Sequence, residues 1–358
     1  MNLLGIKDIK KGLYIINYEY KYKSNKIASF DLDHTLIRPK KGRFPTDKND
    51  WVIMEGVIDK LKKLVNNDYN IVVFSNQSGS NFNIEDFIDK IYDIQEYLKI
   101  EFITFVCSEH GFCRKPSIGM WHSLTQHIKR DIDMSSSFYV GDAYGDAFSD
   151  SDHKFALNIG IKFYTPNYFI SNNYEYNIIP THPIHKYNIE NNINIELKDN
   201  QEIIIMVGPP ACGKSTLSKK ICDINNKYKI VCQDILKSKT KLYDNLIKYL
   251  NEGYSVIIDR KNEYKELRKD IYNIANNYNI NVRIIWFNYP KELVLHLNTY
   301  REIITDKHVP SIVFNKYYSE KSGYEKPTIE ENVEIIEVKF SCNLEYIENK
   351  YIFFKYLI

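Results

Sequence analysis

The sequence predicts an α/β protein with two doubly wound parallel-sheet domains, one in each half of the chain. Two observations lead to this fold class. Apolar runs of strand length alternate with segments of helical periodicity, which favours parallel sheets with helices on both faces. In each half the first strand, at 26–30 and at 202–207, ends in a turn whose residues are suited to phosphate chemistry.

The remaining predicted elements follow these first strands in order. In the first half they are a helix at 52–65, a strand at 70–75, a helix at 84–98, a strand at 102–107, a helix at 118–128 and a strand at 137–140. In the second half they are a helix at 216–225, a strand at 229–232, a helix at 244–251, a strand at 255–258, a helix at 264–276 and a strand at 282–287. We therefore expect domains at 1–165 and 201–358.

The segment 166–200 separates the two halves. It is dense in asparagine, contains Pro180 and Pro183, and lacks sustained periodicity. These features are typical of a surface connection, and they predict a linker with the domain boundary near residue 190.

The composition is that of a globular protein, with 358 residues, 44% hydrophobic and 26% charged. A net charge of +2 gives little evidence for or against a nucleic-acid partner. The apolar runs are too short to span a membrane, and the first 26 residues lack the apolar core of a signal peptide. We expect an intracellular protein of the nucleus or cytoplasm, not a secreted one, with no membrane partner. The sequence leaves the oligomeric state open, with a monomer favoured.

Six cysteines are scattered along the chain without a Cys-x-x-Cys pair. In an intracellular chain of this size they are expected to be reduced thiols. The segment 107–113, with a cysteine at each end and His110 between them, leaves zinc binding as a less favoured alternative.

Two carboxylates, Asp31 and Asp33, follow the first strand. They are expected at the carboxyl end of the sheet, where open α/β sheets bind ligands. A carboxylate there can bind Mg²⁺ and attack phosphorus to form an aspartyl-phosphate. The second, two residues later, can protonate the leaving oxygen and later activate water.

Further polar residues follow the later strands of this half. Ser75 and Asn76 end a strand and are suited to holding a phosphoryl oxygen, while Arg114 and Lys115 open a helical segment. Asp142 follows the strand at 137–140 and is a further candidate metal ligand. Three more acids lie on the same loop: Asp146, Asp150 and Asp152. These four groups of residues follow one another along the chain: the acids after the first strand, the polar residues at 75–76, the basic pair at 114–115 and Asp142. Together they predict a phosphatase.

The turn after residue 207 fits the pattern GxxxxGK[ST], with Gly208, Gly213, Lys214 and Ser215 at its defining positions and Thr216 next. In such a loop backbone N–H groups cradle phosphates, the lysine reaches the terminal phosphates and the hydroxyl binds Mg²⁺. The sequence therefore predicts an ATP site in the second half.

Transfer of phosphate to a hydroxyl also requires a base and charge stabilisers. Asp234 ends the next predicted strand and is the candidate base, and Asp259 ends another and is suited to the acceptor or the metal. Arg301, on a helical segment, is positioned to close over the phosphates as a lid arginine. These residues favour a kinase over a switch GTPase.

A phosphatase followed by a P-loop kinase resembles the polynucleotide kinase 3′-phosphatases, whose first domain is of the haloacid-dehalogenase type. The resemblance covers nearly the whole chain. It rests on these segments: Phe30-Asp-Leu-Asp-His-Thr-Leu-Ile37, Phe44-Pro-Thr46, Ser75-Asn-Gln77, Arg114-Lys-Pro116, Gly119-Met-Trp121, Val140-Gly-Asp-Ala143, Phe155-Ala-Leu-Asn158, Gln233-Asp-Ile-Leu236, Val256-Ile-Ile-Asp259 and Tyr300-Arg-Glu302.

The resemblance implies a role for each matched residue. Asp31 would be the nucleophile and Asp33 the acid and base, with Lys115 beside the transferred phosphoryl group. The implied substrate contacts are Ser75, Asn76, Arg114 and Asp259. In the kinase half the implied catalytic residues are Asp234 and Arg301, and the implied metal ligands overall are Asp31, Asp33, Asp142 and Ser215. Mg²⁺, ATP and DNA or RNA ends are the implied cofactor, donor and partner.

The chain departs from the family pattern at several positions. Gln233 stands where the family has arginine before the candidate base, Arg260 and Lys261 replace an Asn-Thr pair, and His34 takes a glycine position. Too few residues precede the first strand for the phosphopeptide-binding module of the animal enzymes.

Three hypotheses follow. The leading one is an enzyme that prepares 5′-phosphate and 3′-hydroxyl ends for ligation. The second keeps both activities but assigns them a nucleoside or sugar substrate, and the third is an end-binding module without catalysis. The residues needed for chemistry disfavour the third. Basic clusters at 38–43 and 237–241 fit a nucleic-acid substrate as well as an ordinary solvated surface.

Overall fold

The computed structural model describes residues 6–10, 12–77, 82–145, 149–173, 178–187, 195–321, 323–340 and 347–358. The chain divides into two compact units. The first comprises residues 1–182 together with 355–358, and the second comprises 183–354. Each unit is an α/β domain, so the predicted fold class is confirmed.

The first unit is built around one seven-stranded sheet. Its strands and helices, with a small two-stranded sheet formed by β4 and β5, are β1 (Ile6–Lys10), β2 (Leu13–Ile16), β3 (Ile27–Phe30), β4 (Ile37–Arg38), β5 (Val52–Ile53), α1 (Val57–Asn66), β6 (Asn70–Asn76), α2 (Ile84–Leu98), β7 (Ile103–Cys107), α3 (Gly119–Ile128), β8 (Phe138–Val140), α4 (Ser151–Ile159), β9 (Lys162–Tyr164) and α5 (Pro166–Ser171). The strand order is β1-β2-β7-β6-β3-β8-β9. The five strands from β7 to β9 are parallel, and β2 joins β7 in the antiparallel sense.

Central strands of this sheet are buried on both faces, which explains their continuous apolar sequences. Helix α2 begins where the Asn83 side chain accepts hydrogen bonds from the backbone of Glu85 and Asp86, and it buries one face. The helix predicted at 52–65 begins later than expected. Residues 52–53 pair with β4 as a strand, and α1 starts after Gly56, whose φ of 79° is left-handed.

The second unit contains a five-stranded parallel sheet. Its elements are β10 (Glu202–Val207), α6 (Lys214–Ile224), β11 (Tyr228–Cys232), α7 (Gln233–Leu236), α8 (Lys239–Asn251), β12 (Ser255–Asp259), α9 (Lys265–Asn277), β13 (Asn281–Phe287), α10 (Lys291–Thr305), α11 (Ser311–Tyr317), β14 (Glu334–Val338) and α12 (Lys350–Phe353), with 3₁₀ turns at Pro183–Lys186 and Ile329–Glu331. The strand order is β11-β12-β10-β13-β14. Strand β10, which leads into the glycine-rich turn, is central and fully buried.

The segment predicted as a linker differs from expectation because part of it is ordered within the first unit. Thr165 caps α5 by accepting a hydrogen bond from the Tyr168 N–H, and a proline opens the helix. Phe169 of this helix packs edge-to-face on Phe30, with ring centroids 5.2 Å apart. The chain enters the second unit after His182, earlier than the predicted boundary.

Residues 355–358 belong to the first unit, although the sequence assigned them to the second domain. The backbone N–H of Tyr356 donates to Asn158 Oδ1 at 2.7 Å, and Asn158 Nδ2 donates to the Tyr356 carbonyl at 3.0 Å. Leu357 is 5% exposed. The return of these residues to the first unit could not be predicted from the sequence, because a segment of four residues is too short to show a periodic pattern.

Cys107 and Cys113 form a disulfide, with their Cα atoms 5.7 Å apart. The expectation of reduced thiols is therefore wrong for this pair, because each sulfur is bonded to the other. The turn at Gly111, whose φ is 109°, brings Cys113 back to the end of β7. Cys212, Cys222 and Cys232 are free thiols, and Cys342 lies outside the described residues.

Within the ranges given above, no helix combines the length and apolar character required to cross a membrane.

Candidate active sites at the carboxyl ends of the two sheets

In the first unit the predicted acids lie together at the carboxyl end of the sheet. The Asp31 N–H, directly after β3, donates to the Val140 carbonyl at 2.8 Å, which ties the start of the acidic turn to the end of β8. His34, in the same turn, has a φ of 58°, in the left-handed region that glycine adopts more readily than other residues.

Lys115 is the centre of this site. Its Nζ lies 2.6 Å from Asp31 Oδ1, 2.7 Å from Asp152 Oδ1 and 2.8 Å from the Tyr139 hydroxyl. The residue is only 5% exposed. A buried ammonium needs such partners because desolvation is costly, and here two carboxylates supply them.

Asp152 was noted in the sequence only as one of three acids on a loop. The structure places it at the start of α4, 1% exposed, where Oδ1 accepts from Tyr139 at 2.9 Å and Oδ2 accepts from the Ala143 N–H at 3.0 Å. Gly141 makes room for it, since a Cβ at that position would lie 2.5 Å from its carboxylate. Asp146 lies outside the described residues.

Burial dominates the electrostatics of the site. It raises the pKa of Asp31 well above the ordinary value, and the ammonium of Lys115 offsets this only in part. Burial, reinforced by Asp152, raises the pKa of Asp142 to about 6. For Lys115, burial alone would lower the pKa, but Asp152 and Asp31 raise it above the ordinary value.

Three carboxylates are close enough to share a metal ion. Asp31, Asp142 and Asp152 each offer an oxygen within 4.8 Å of the others. Hard oxygen donors that repel one another in a buried site fit Mg²⁺. Asp152 uses both oxygens on protein donors, so Asp31 and Asp142 are the better ligands.

The Asp33 carboxylate lies outside this group, although it was a predicted metal ligand. Its Oδ1 is 3.1 Å from Lys90 Nζ, and its Oδ2 accepts from Gln77 Nε2 at 2.9 Å. Gln77 Nε2 also lies 2.9 Å from Ser75 Oγ, so one amide links the predicted acid to the predicted phosphate-binding hydroxyl. Neither Lys90 nor Gln77 was among the candidate site residues.

Asn76 and Arg114, predicted to contact substrate, make protein contacts. The Asn76 side chain donates to the Lys115 carbonyl at 3.0 Å and accepts from the Lys115 N–H at 2.9 Å. Arg114 donates to the Gln77 carbonyl at 3.0 Å. These bonds fix the backbone around Lys115.

In the second unit the glycine-rich turn joins β10 to α6. Gly213 has a φ of 98°. A Cβ at Gly208 would lie 2.8 Å from the Phe287 Cβ, so glycine is required at both positions. Lys214 Nζ donates to the carbonyls of Gly208 at 3.0 Å and of Pro209 at 2.6 Å. The next two residues, Ser215 and Thr216, are exposed at the N-terminus of α6.

The remaining kinase candidates surround neighbouring strand ends. Asp234 lies in α7, directly after β11, and Asp259 ends β12 and is 6% exposed. Burial lowers the pKa of Arg301, and the nearby charge of Asp234 partly offsets the shift. Arg301 Nε is buried with no hydrogen-bond partner in the described part of the chain.

Gln233 and Arg260, two positions at which the sequence departs from the family pattern, lie next to each other. Arg260 Nη1 lies 3.4 Å from Gln233 Oε1, and Arg260 Nε donates to Asn262 Oδ1 at 2.5 Å. A positive charge therefore still lies beside the residue that precedes Asp234.

Comparison with known proteins gives matches to both units. A family model described as polynucleotide kinase 3 phosphatase matches residues 26–170, and one described as an AAA domain matches residues 203–320. A bifunctional polynucleotide phosphatase/kinase of Schizosaccharomyces pombe is 38% identical over 355 residues, covering 94% of this chain and 85% of the relative. A protein of Acanthamoeba polyphaga mimivirus is 34% identical, covering 87% of this chain and 84% of the relative. A polynucleotide 3′-phosphatase of Arabidopsis thaliana is 32% identical, covering 41% of this chain and 24% of the relative.

Proposed function

Because the chain belongs to the family of bifunctional polynucleotide phosphatase/kinases, we propose that it repairs nucleic-acid ends. The first unit removes 3′-phosphates, and the second transfers the γ-phosphate of ATP to 5′-hydroxyls. The observation that carries this proposal is the presence in one chain of Asp31 against Lys115 and, in a separate unit, of a complete P-loop with Lys214.

In the phosphatase reaction Asp31 attacks phosphorus, and the bond to the nucleoside 3′-oxygen breaks. Asp33 gives its proton to that oxygen, and the phosphoryl group is carried on Asp31. Water then attacks the aspartyl-phosphate while Asp33 takes a proton back, releasing inorganic phosphate. Lys115 and Ser75 hold the phosphoryl oxygens. Asp31 and Asp142 would hold Mg²⁺, which supplies charge neutralisation.

In the kinase reaction Asp234 accepts the proton of the 5′-hydroxyl as its oxygen attacks the γ-phosphorus of ATP, and the bond between the γ-phosphorus and the β-phosphate breaks to release ADP. Lys214 and the N–H groups of the loop bind the ATP phosphates, and the Ser215 hydroxyl would hold Mg²⁺. Arg301 supplies positive charge to the transferring group, in keeping with its buried Nε and its nearness to Asp234. Asp259 supports the acceptor.

One assay panel tests the proposal. Oligonucleotides of DNA and RNA, single-stranded and duplex, carry either a 5′-hydroxyl or a 3′-phosphate and are incubated with ATP and Mg²⁺. We expect Asp31→Ala to abolish 3′-phosphate removal and spare 5′-phosphorylation, and Lys214→Ala to do the reverse. Loss of both activities in either folded variant would contradict independent sites.

The same panel addresses the substrate class. Phosphorylation of a free nucleoside, with no phosphorylation of 5′-hydroxyl oligonucleotides, would assign the chain a small-molecule substrate instead. Since ATP and nucleic-acid ends occur inside cells, the proposal also implies an intracellular place of action, in the nucleus or cytoplasm. We propose that the enzyme acts as a monomer.

A further inference from the structure

Lys90 is a lysine on the buried face of helix α2. It is 7% exposed and lies among the apolar residues that pack this helix onto the sheet, such as Phe87 and Ile91. An apolar side chain of similar volume would fill such a position without the cost of burying an ammonium. Packing therefore does not account for the charge.

The charge is accounted for by Asp33. Lys90 Nζ lies 3.1 Å from Asp33 Oδ1, and this is the ion pair that the structure gives for Lys90. The Asp33 side chain is itself 32% exposed, so the pair joins a buried cation to a carboxylate that faces the open side of the site.

Gln77 holds the other carboxylate oxygen. Its Nε2 donates to Asp33 Oδ2 at 2.9 Å, and its backbone carbonyl accepts from Arg114. Donors on two different elements thus fix both oxygens of Asp33, which restricts rotation of the carboxylate plane. Asp31, two residues earlier, is instead directed to Lys115.

We infer that Lys90 is a positioning residue of the 3′-phosphatase, which holds the Asp33 carboxylate in the orientation required for proton transfer. The inference rests on the proposed function. Lys90 itself exchanges no proton and touches no reacting atom in this role. Misorientation of an acid by a fraction of an ångström lowers turnover without weakening substrate binding.

The test compares two phosphate esters in the full-length protein. Removal of a 3′-phosphate from an oligonucleotide expels an alkoxide, which needs a proton, whereas 4-nitrophenyl phosphate expels an anion that leaves unprotonated. Because Asp33 also acts in the later hydrolysis of the aspartyl-phosphate, the two esters are compared by the single-turnover rate of the first step, in which the phosphoryl group moves to Asp31. For Lys90→Met we expect this rate on the oligonucleotide to fall about ten- to a hundredfold, a part of the usual general-acid contribution. KM should stay within about twofold, and the first-step rate on the aryl ester should fall less than about threefold.

A double-mutant cycle makes the route explicit. In an Asp33→Asn background, Lys90→Met should cause no further loss on 4-nitrophenyl phosphate, because the group that it positions is gone. Lys62→Met, at an exposed lysine of α1, is the matched control. If Lys90→Met lowers the unfolding temperature strongly, Lys90→Leu, which also lacks a donor, replaces it, and the same losses are expected.

The outcomes separate the two proposals. Equal losses of the first-step rate on both esters, a rise in KM alone, or a further loss in the Asp33→Asn background would overturn the role of Lys90. Wild-type-like turnover in a folded Lys90→Met protein would overturn it as well. Absence of 3′-phosphatase activity in the wild type would instead contradict the proposed function.

Discussion

Deletion of residues 355–358 should destabilise the phosphatase unit and leave the kinase unit intact. Leu357 is 5% exposed, and burial of a leucine stabilises a fold by about 1.5–3 kcal/mol. Asn158 exchanges two hydrogen bonds with Tyr356, and His182 bonds to the Lys355 carbonyl at 2.8 Å. At about 0.5–1.5 kcal/mol net for each of the three bonds, the total loss is about 3–7.5 kcal/mol.

A loss of this size is measurable. A loss of about 1 kcal/mol shifts the melting temperature of a unit this large by about 2–4 °C. The transition of the first unit, called the first transition below, should therefore fall by about 6 °C or more, and the second transition is that of the second unit. The assay is differential scanning calorimetry, combined with initial rates of both activities. The second transition and the 5′-kinase rate should match those of the wild type.

The deletion should also act through Asn158. Asn158 Nδ2 donates to the Pro116 carbonyl at 2.8 Å, directly after Lys115, as well as to Tyr356. Asn158→Ala and the deletion should therefore be non-additive, because they remove the same bonds. A first transition within about 1 °C of the wild type, or fully additive effects, would refute this account of the segment.

The other predictions concern a metal site and a buried ion pair. The pKa of Asp142 is raised to about 6 in the folded state, so the folded unit holds a proton on this carboxyl more strongly than the unfolded chain does. The stability of the metal-free unit therefore falls as the pH rises towards 6. Mg²⁺ should therefore raise the melting temperature of the first unit much more at about pH 7.5 than at about pH 5. In Asp142→Asn this rise should be absent. An equal rise at both pH values would exclude Asp142 as a ligand. In the second unit Arg268 is fully buried against Glu331, with an Nη2–Oε1 distance of 2.6 Å. Glu331→Gln should lower the free energy of unfolding by about 3–5 kcal/mol in denaturant titrations and spare the phosphatase, and a change below about 1 kcal/mol would argue against the pair.

Candidate residues for both sites could be predicted from the sequence because they directly follow predicted strands. Asp31, Asp142, Lys214 and the resemblance to polynucleotide kinase 3′-phosphatases could be read from local patterns, and that family is confirmed. Parallel strands bring such residues to one edge whatever the details of packing, so order along the chain was sufficient.

The contacts that tune the sites were not predictable in this way. Lys90 lies 57 residues after Asp33, on a helix whose periodicity indicates only which face is buried. Asp152 was one of three similar acids until the fold set it against Lys115. Such pairings depend on side-chain directions across long separations, for which a single sequence holds no periodic signal.

The Cys107–Cys113 bond joins the end of β7 to the residue before Arg114, so the loop leading to Lys115 is anchored to the sheet at both of its ends. A reductant such as dithiothreitol cuts this anchor. In the second unit, the free thiols Cys212, Cys222 and Cys232 are already in the state that a reductant maintains. We therefore expect a reductant to change the ratio of the 3′-phosphatase rate to the 5′-kinase rate, because only the first of these two sites is next to the disulfide.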